Sequence, residues 1–416
     1  MLTKKFMPKF LQNNMKILQV HKYYWHRDGA SNYVLQLSAW LGQAGYSVIP
    51  FAMQEPESLS SPYDKFFVSN LDLGKPGQLS LLTKMQATAR LFYCREAVQN
   101  LRRLLATQKI DVAHIHNIYH HLSPAILPVL KKAGARVVMT VHDYDLISPN
   151  YSLFHHNAIH EEDAEGYYFS CVKNKCVKDS RVYSAIKVAE MIWQHKLKKD
   201  YENNVDTFIA PSEFMAKKLI KYGYDKRKIV VIPNPVAVLE KSQLTKTGYI
   251  GFAGRLTVEK GVEVLLSAAK LLPHLEFKIA GAGPDEVRLQ EICQEQKLTN
   301  VKLVGFKTGP ALAEFLQQAS ILVVPSVWYE NAPLSVLEPL AAGKIVLGSR
   351  IGGIPELLPA EFLFAPGNAE ELADKIMYWQ NVSVSERARV GKSLQALASY
   401  KYSPETHLKR ILQVYQ

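Results

Sequence analysis

The chain has 416 residues, 48% of them hydrophobic and 21% charged, and a formal net charge of +12. Such a length is too great for one ordinary core and predicts two domains of a globular, soluble protein. No apolar run nears the ~20 residues that a membrane-spanning helix needs, and four cysteines in so long a chain are no disulfide framework, so a reducing cytoplasm is the expected setting.

The charge is uneven. Residues 1–240 hold 31 Lys and Arg against 21 Asp and Glu, whereas residues 241–416 hold 19 against 17. A basic first half points to an anionic membrane surface as partner, or simply to solubility and a phosphate-bearing substrate. No nucleic-acid motif accompanies the charge, so nucleic acid is not an expected partner.

Residues 1–14 carry lysines but lack the apolar core of a secretory signal and read as a disordered extension. Strand-like runs follow at Ile17–Val20, Tyr46–Phe51, Val112–His116, Arg136–Val141, Thr207–Ala210 and Lys228–Ile232. Helical patterns lie between them. Ser31–Ala44 is one, its stripe formed by Val34, Leu35, Leu37, Trp40 and Leu41 and its end marked by Gly45. Residues 150–185, rich in His, Tyr and charge, read as an irregular insertion in this first domain, 15–240.

After Pro233-Asn-Pro235 and a linker near 235–247 the pattern restarts. Strands are predicted at Tyr249–Ala253, Glu276–Ala280, Val301–Val304, Ile321–Pro325, Lys344–Gly348 and Glu361–Phe364, with helices at Val262–Leu272, Glu286–Gln296 and Pro310–Ala319. Residues 248–400 thus form a second domain, and 404–416 a final helix. Short apolar strands alternating with helices predict α/β architecture with parallel sheets, here two doubly wound domains. In such folds ligands bind beyond the C-terminal ends of the strands, so the site is expected in the cleft between the domains.

Several loops at those strand ends carry chemistry. Gly251-Phe-Ala-Gly254-Arg255-Leu-Thr-Val-Glu-Lys260-Gly261 joins a strand to a helix. Its glycines permit close backbone approach, and an Arg with a Lys suits a diphosphate, the Arg binding bidentately and the Lys as a point charge. Gly281-Ala-Gly283-Pro284 and Gly352-Gly353-Ile-Pro-Glu356 are further strand-end turns, which plain turn geometry also explains. Phe306, after another strand, is placed to meet the edge of a base. Glu330 and Glu338 bracket a loop-to-helix junction, with Glu338 expected about two turns into the helix. A ligand there would meet a carboxylate at each end and backbone N–H groups between, which fits a molecule that is part phosphate and part polyol.

In the first half, Arg27-Asp-Gly29-Ala-Ser-Asn32 lacks the dinucleotide fingerprint but leaves one glycine at a helix start. Val141-His142-Asp-Tyr-Asp145 ends a strand and puts His142 at the cleft. Asp143 and Asp145 invite a metal reading that two carboxylates alone do not complete. His114, His116, His120 and His121 gather at another strand end, as an acceptor pocket or a polar loop. Cys171 and Cys176 with nearby histidines allow a zinc site at a loose spacing, and Lys187–Lys199 mixes apolar and basic residues as an interfacial helix does, or as a packed one does.

From residue 15 onward the chain resembles the retaining GT-B glycosyltransferases of family 4. The likeness is strongest from 248 to 357, where Gly-Arg-Leu…Glu-Lys-Gly, Gly-x-Gly-Pro, Pro-Ser, Glu-x7-Glu and Gly-Gly-Ile-Pro-Glu come in that family's order. The resemblance implies a GT-B fold whose last helix crosses back to the first domain. It implies a nucleotide-sugar donor, a UDP- or GDP-sugar, with no metal required, and a glycan acceptor; the basic first half, not the resemblance, adds the expectation of a membrane-peripheral setting with a lipid-linked acceptor. Arg255 and Lys260 would hold the diphosphate, with Gly254, Gly281 and Gly283 in the surrounding loops. Glu330 would contact the donor sugar, Asn331, Ala332, Pro333 and Leu334 would lie near sugar and phosphate, and Glu338 would bind ribose. His142 would touch the sugar from the opposite domain and Gly29 would lie under phosphates or acceptor. Tyr329 and Asn331 depart from the family's usual neighbours of the first Glu. A nucleotide-sugar epimerase of similar architecture and an inactive binding module are the competing readings.

Overall fold

The computed structural model describes residues 15–70, 88–119, 121–237 and 248–416; the N-terminal extension, His120 and most of the linker lie outside these. Two six-stranded parallel sheets make up the frame. The first contains β1 (Lys16–Val20), β2 (Ser47–Phe51), β3 (Val112–Ile115), β4 (Arg136–Thr140), β5 (Thr207–Ala210) and β6 (Ile229–Val231), in the spatial order β6-β5-β4-β3-β1-β2. The second contains β7 (Ile250–Ala253), β8 (Phe277–Ala280), β9 (Val301–Leu303), β10 (Ile321–Val324), β11 (Ile345–Ser349) and β12 (Leu363–Phe364), in the order β9-β8-β7-β10-β11-β12. Both orders reverse direction beside their first strand, which opens a crevice at that point in each domain. The central strands are fully buried, as Val112–Ile115 and Ile321–Val324 show, because helices cover both faces.

Strand and helix ends shift by one or two residues from the expected ones, most at β12, where a 3-10 turn at Ala360–Phe362 takes the first half of the predicted strand. The first helix begins at Gly29, two residues before the expected start, because Asp28 and Ser31 form a reciprocal capping box that extends it. The insertion is not irregular. It folds as a hairpin (Phe154–His155 with Ala158–Ile159), a 3-10 turn and helices Phe169–Lys173 and Arg181–Met191. Its internal links include a disulfide between Cys171 and Cys176 and a 2.6 Å contact between His155 Nε2 and the buried Asp163. The disulfide removes both thiolates from the zinc site considered above and runs against the expectation of four reduced cysteines, leaving Cys94 and Cys293 free.

The final helix, Pro404–Tyr415, crosses from the second domain onto the first. Leu408, Ile411, Leu412 and Tyr415 join a core with Ile17, Leu37, Val112, Val138 and Ile209. Polar links fix its register: His407 bonds Tyr33 at 2.9 Å and the Pro233 carbonyl at 2.9 Å, and the Tyr415 hydroxyl meets His114 at 2.7 Å. His114, His116 and His142 form a column of rings, with centroids 4.3 Å and 5.3 Å apart, under the cleft floor. The strand-end histidines are thus largely a buried polar core, not an open loop.

Burial keeps these imidazoles neutral, pushing His114 down to about 3 and His407 down to about 4. In the unfolded chain they titrate near ~6.5, so below that value the unfolded state binds more protons and stability is lost as pH falls toward the folded values. Each of these two histidines should cost about 2 kcal/mol by about pH 5. The melting temperature should therefore drop clearly between about pH 7 and about pH 5, and a flat profile would contradict a neutral buried column.

Candidate active site

A cavity of about 640 Å³ lies between the two sheets at their C-terminal ends. The first domain lines it with Lys22, Asp28, Gly29, Asn117, Tyr119, His142, Asp143 and Tyr151; the second lines it with Gly254, Arg255, Lys260, Trp328, Glu330 and residues 331–335. Each of these loops follows a strand directly, so the parallel topology collects them at one place.

Glu330 sits at the centre. It is 5% exposed and accepts hydrogen bonds from Lys260 Nζ at 2.6 Å and Ser326 Oγ at 2.7 Å. Burial works against its charge, but the Lys260 ammonium and these donors outweigh burial and hold the carboxyl below its ordinary range. Lys260 also lies over the Trp328 ring, 5.1 Å from its centroid. Its position depends on Gly261, which has φ +66° and whose added Cβ would lie 2.0 Å from the Pro325 carbonyl oxygen, so no other residue fits that turn. Arg255 is exposed in the cavity and forms no ion pair among the described residues.

The remaining predicted residues divide. Gly29 faces the cavity with open space around it, at the start of its helix. His142 lies at the top of the histidine column, 3.0 Å from His116, and burial pushes it down to about 4, so it meets the cleft as a neutral imidazole. Gly281 and Gly283 do not line the cavity. They pack against the Arg255 loop, where a Cβ at Gly281 would strike the Gly254 carbonyl and one at Gly283 the Leu256 carbonyl. Their use is to let two loops stack, with Leu256 N bonded to Ala282 O at 3.0 Å and Asp285 N to Leu256 O at 3.1 Å. Phe306 is 73% exposed, outside the cavity lining. Glu338 is the fifth residue of helix Leu334–Ala341, one turn in and not two, because the helix starts only after Pro333. It lies outside the cavity lining, and burial raises its carboxyl to about 7. Asp143 and Asp145 have protein partners: Asn117 Nδ2 donates to Asp143 at 2.9 Å, and Asp145 pairs with the buried Lys187 at 3.1 Å.

Two family models together match residues 27–395. The one described as Glycosyltransferase Family 4 matches residues 27–238, more than half of the chain, and the one described as Glycosyl transferases group 1 matches residues 239–395. The chain belongs to glycosyltransferase family 4. It is 29% identical over 269 residues to an uncharacterised 42.6 kDa protein in the cps region of Klebsiella pneumoniae, covering 64% of each chain. It is 27% identical over 223 residues to the putative colanic acid biosynthesis glycosyltransferase WcaL of Escherichia coli K12, covering 48% of this chain and 54% of that one. The matched stretches therefore span about half to two-thirds of these relatives. HepE of Anabaena, solved in complex with UDP and glucose, shares the fold at a TM-score of 0.61 and 17% identity, over 96% of this chain and 98% of that one.

Two features of this family 4 chain escape a reading by sequence alone. The first is the set Lys22, Asn117, Tyr119 and Tyr151, brought to the cavity by separate loops without a shared motif. Asn117 Oδ1 and the Tyr119 hydroxyl are buried there with no hydrogen-bond partner among the described residues. The second is the contact between domains. Tyr329 and Asn331, the departures from the family's pattern, bridge the cleft: the Tyr329 hydroxyl donates to Glu161 at 2.7 Å, and Asn331 Nδ2 donates to the His142 carbonyl at 2.8 Å. The Gly-Gly-Ile-Pro-Glu loop bridges it again. Gly353 N donates to Glu330 O at 2.7 Å, and Glu356 caps helix Glu213–Lys221 of the other domain, accepting from Glu213 N at 2.7 Å and Phe214 N at 2.6 Å.

A carboxylate at a helix N-terminus contributes about 1 kcal/mol. Glu356→Ala should lower stability by about that amount and loosen the closed arrangement, seen as a larger radius of gyration by small-angle X-ray scattering. An unchanged radius would show that this cap does not hold the domains together.

Proposed function

We propose that this protein is a retaining glycosyltransferase that moves a sugar from a nucleoside-diphosphate donor, a UDP- or GDP-sugar, to a hydroxyl of a glycan or lipid-linked acceptor. Its setting is polysaccharide, exopolysaccharide or lipopolysaccharide-type synthesis in the cytoplasm, at the inner face of a membrane. The observation that carries this reading is the pair of cations in the cavity: Arg255 without an ion pair among the described residues, and Lys260 set by Gly261 beside Glu330. The colanic acid enzyme among the relatives and the UDP and glucose complex of the structural neighbour support the substrate class.

As the glycosidic bond breaks, negative charge grows on the leaving diphosphate. Arg255 and Lys260 stabilise that charge from fixed positions, and the N-terminus of helix Gly29–Gln43 adds a favourable dipole from the other side. These cations take the part a divalent metal plays elsewhere, so the reaction needs none. Glu330 retains free lone pairs beyond those used by Lys260 and Ser326, and with them it binds donor sugar hydroxyls. His142, neutral near pH ~7, bonds a sugar hydroxyl without adding charge. The backbone of 331–334 lies along sugar and phosphate, and Glu338, which stands outside the cavity lining, takes the ribose hydroxyls only of a donor that extends past that lining. Asn117, Tyr119 and Asp143 receive the acceptor on the first domain's side. Attack comes from the same face as departure, through an oxocarbenium-like state, and the closed cleft excludes water that would hydrolyse the donor.

A panel of UDP- and GDP-sugars read by thermal shift tests this. The true donor should stabilise by about 2.7 kcal/mol at a hundredfold excess over its dissociation constant. Arg255→Ala, at an exposed and unpaired residue, should keep the fold and lower turnover by about 100- to 1,000-fold. No stabilisation by any member of the panel, or full turnover by the variant, would overturn the assignment.

A further inference from the structure

The insertion places a cationic, apolar face on the outside of the first domain that the reaction does not use. Helices Phe169–Lys173 and Arg181–Met191 form a groove of about 610 Å³, lined by Phe169, Val172, Val188 and Ile192 together with Lys173 and Arg181. Phe169 is 68% exposed and stacks on Tyr167, and Val182 is 67% exposed. The chain continues through Trp193 and Leu197, the latter 66% exposed. Large apolar side chains left in water at this density mark an interaction surface.

Their charged neighbours name the partner. Between Tyr167 and Lys199 seven cations are exposed (Lys173, Lys175, Lys178, Arg181, Lys196, Lys198 and Lys199) against a single exposed acid, Asp179. None of the seven forms a salt bridge with a carboxylate among the described residues. Aromatic and aliphatic side chains interleaved with unpaired lysines match the interface of an anionic bilayer, where rings enter the headgroup layer and ammonium groups meet phosphates.

The segment is not an isolated amphipathic helix. Lys187, Glu190, Met191, Gln194 and His195 are buried, so the middle of Lys187–Lys199 is packed protein, and the exposed face is assembled from three turns of chain. Lys187 is the link to the cleft. From the inner side of helix Arg181–Met191 it pairs with Asp145 and Glu190, each at 3.1 Å, and Asp145 lies on the loop that carries His142 and Asp143. The same helix that presents Arg181 and Val182 outward is thus pinned to the acceptor side of the cavity.

We infer that the face formed by Phe169, Val182 and the surrounding lysines docks on an anionic phospholipid membrane, with the groove receiving hydrocarbon from the bilayer's edge. This deepens the reading of a membrane-linked acceptor and rests on it, but its test needs no substrate. The full chain is sedimented with vesicles of phosphatidylcholine alone and of phosphatidylcholine mixed with phosphatidylglycerol. Binding to the anionic vesicles only is expected. The double variants Phe169→Ser with Val182→Ser, and Lys173→Glu with Arg181→Glu, should each lower the partition coefficient by about tenfold or more, with circular dichroism and UDP binding unchanged. Absence of binding to anionic vesicles, or binding by both variants as strong as that of the unaltered chain, overturns the inference. So does a dimer in light scattering that the serine variant abolishes, which would assign the face to a second copy of the chain. Measuring UDP binding beside each arm separates the two readings: vesicle binding without nucleotide binding defeats the proposed function alone, and the reverse defeats the docking face alone.

Discussion

A carboxylate buried in protein needs a cation, and Glu330 has Lys260. The rest of the cleft is arranged around that requirement. Lys260 reaches Glu330 only because Gly261 turns left-handed against the Pro325 carbonyl, and Glu330 is held from behind by Ser326 and by Gly353. Lys260 keeps Glu330 charged in a site largely screened from water, where fixed charges act most strongly. A diphosphate entering beside Arg255, as proposed, would thus meet a lysine already positioned, with the ordering cost met by the fold.

The closed arrangement depends on the same loop. Glu330 is flanked by Tyr329 and Asn331, both of which bond across to the first domain, and the Gly-Gly turn that supports Glu330 ends in Glu356, which caps a helix there. The proposed donor contact and the observed domain contact therefore share one stretch of backbone. A ligand that shifts residues 329–334 also shifts the domain interface, which is a physical route from donor binding to closure.

The fold was legible because its signals are local and repeated: short apolar strands, helices between them, a proline-flanked linker and the ordered motifs from Gly251 to Glu356. Legible too were the loops that follow strands, so Arg255, Lys260, Glu330, His142 and Gly29 fall at one cavity. What the sequence hides is contact at a distance. Nothing in Gly281-Ala-Gly283 says whether its glycines admit a ligand or a neighbouring loop; the structure shows the loop. Asn117, Tyr119 and Tyr151 belong to no motif and converge only through sheet order. Pro333 delays the helix start, which moves Glu338 a turn closer to the junction than spacing implies. The cysteines of the insertion pair with each other, and its lysines divide between core and surface, since Lys187 finds Asp145 and Glu190 while its neighbours find none.

In the proposed reaction Lys260 has two separable duties, neutralising Glu330 and binding the donor's phosphates. Calorimetric titration of UDP and GDP, with melting temperatures, into Lys260→Ala, Glu330→Gln and the double variant separates them. Lys260→Ala should lose stability, because it strands a buried carboxylate, and nucleotide affinity, because it removes a phosphate ligand; adding Glu330→Gln should restore stability but leave affinity low. Wild-type nucleotide affinity in the double variant would contradict this assignment.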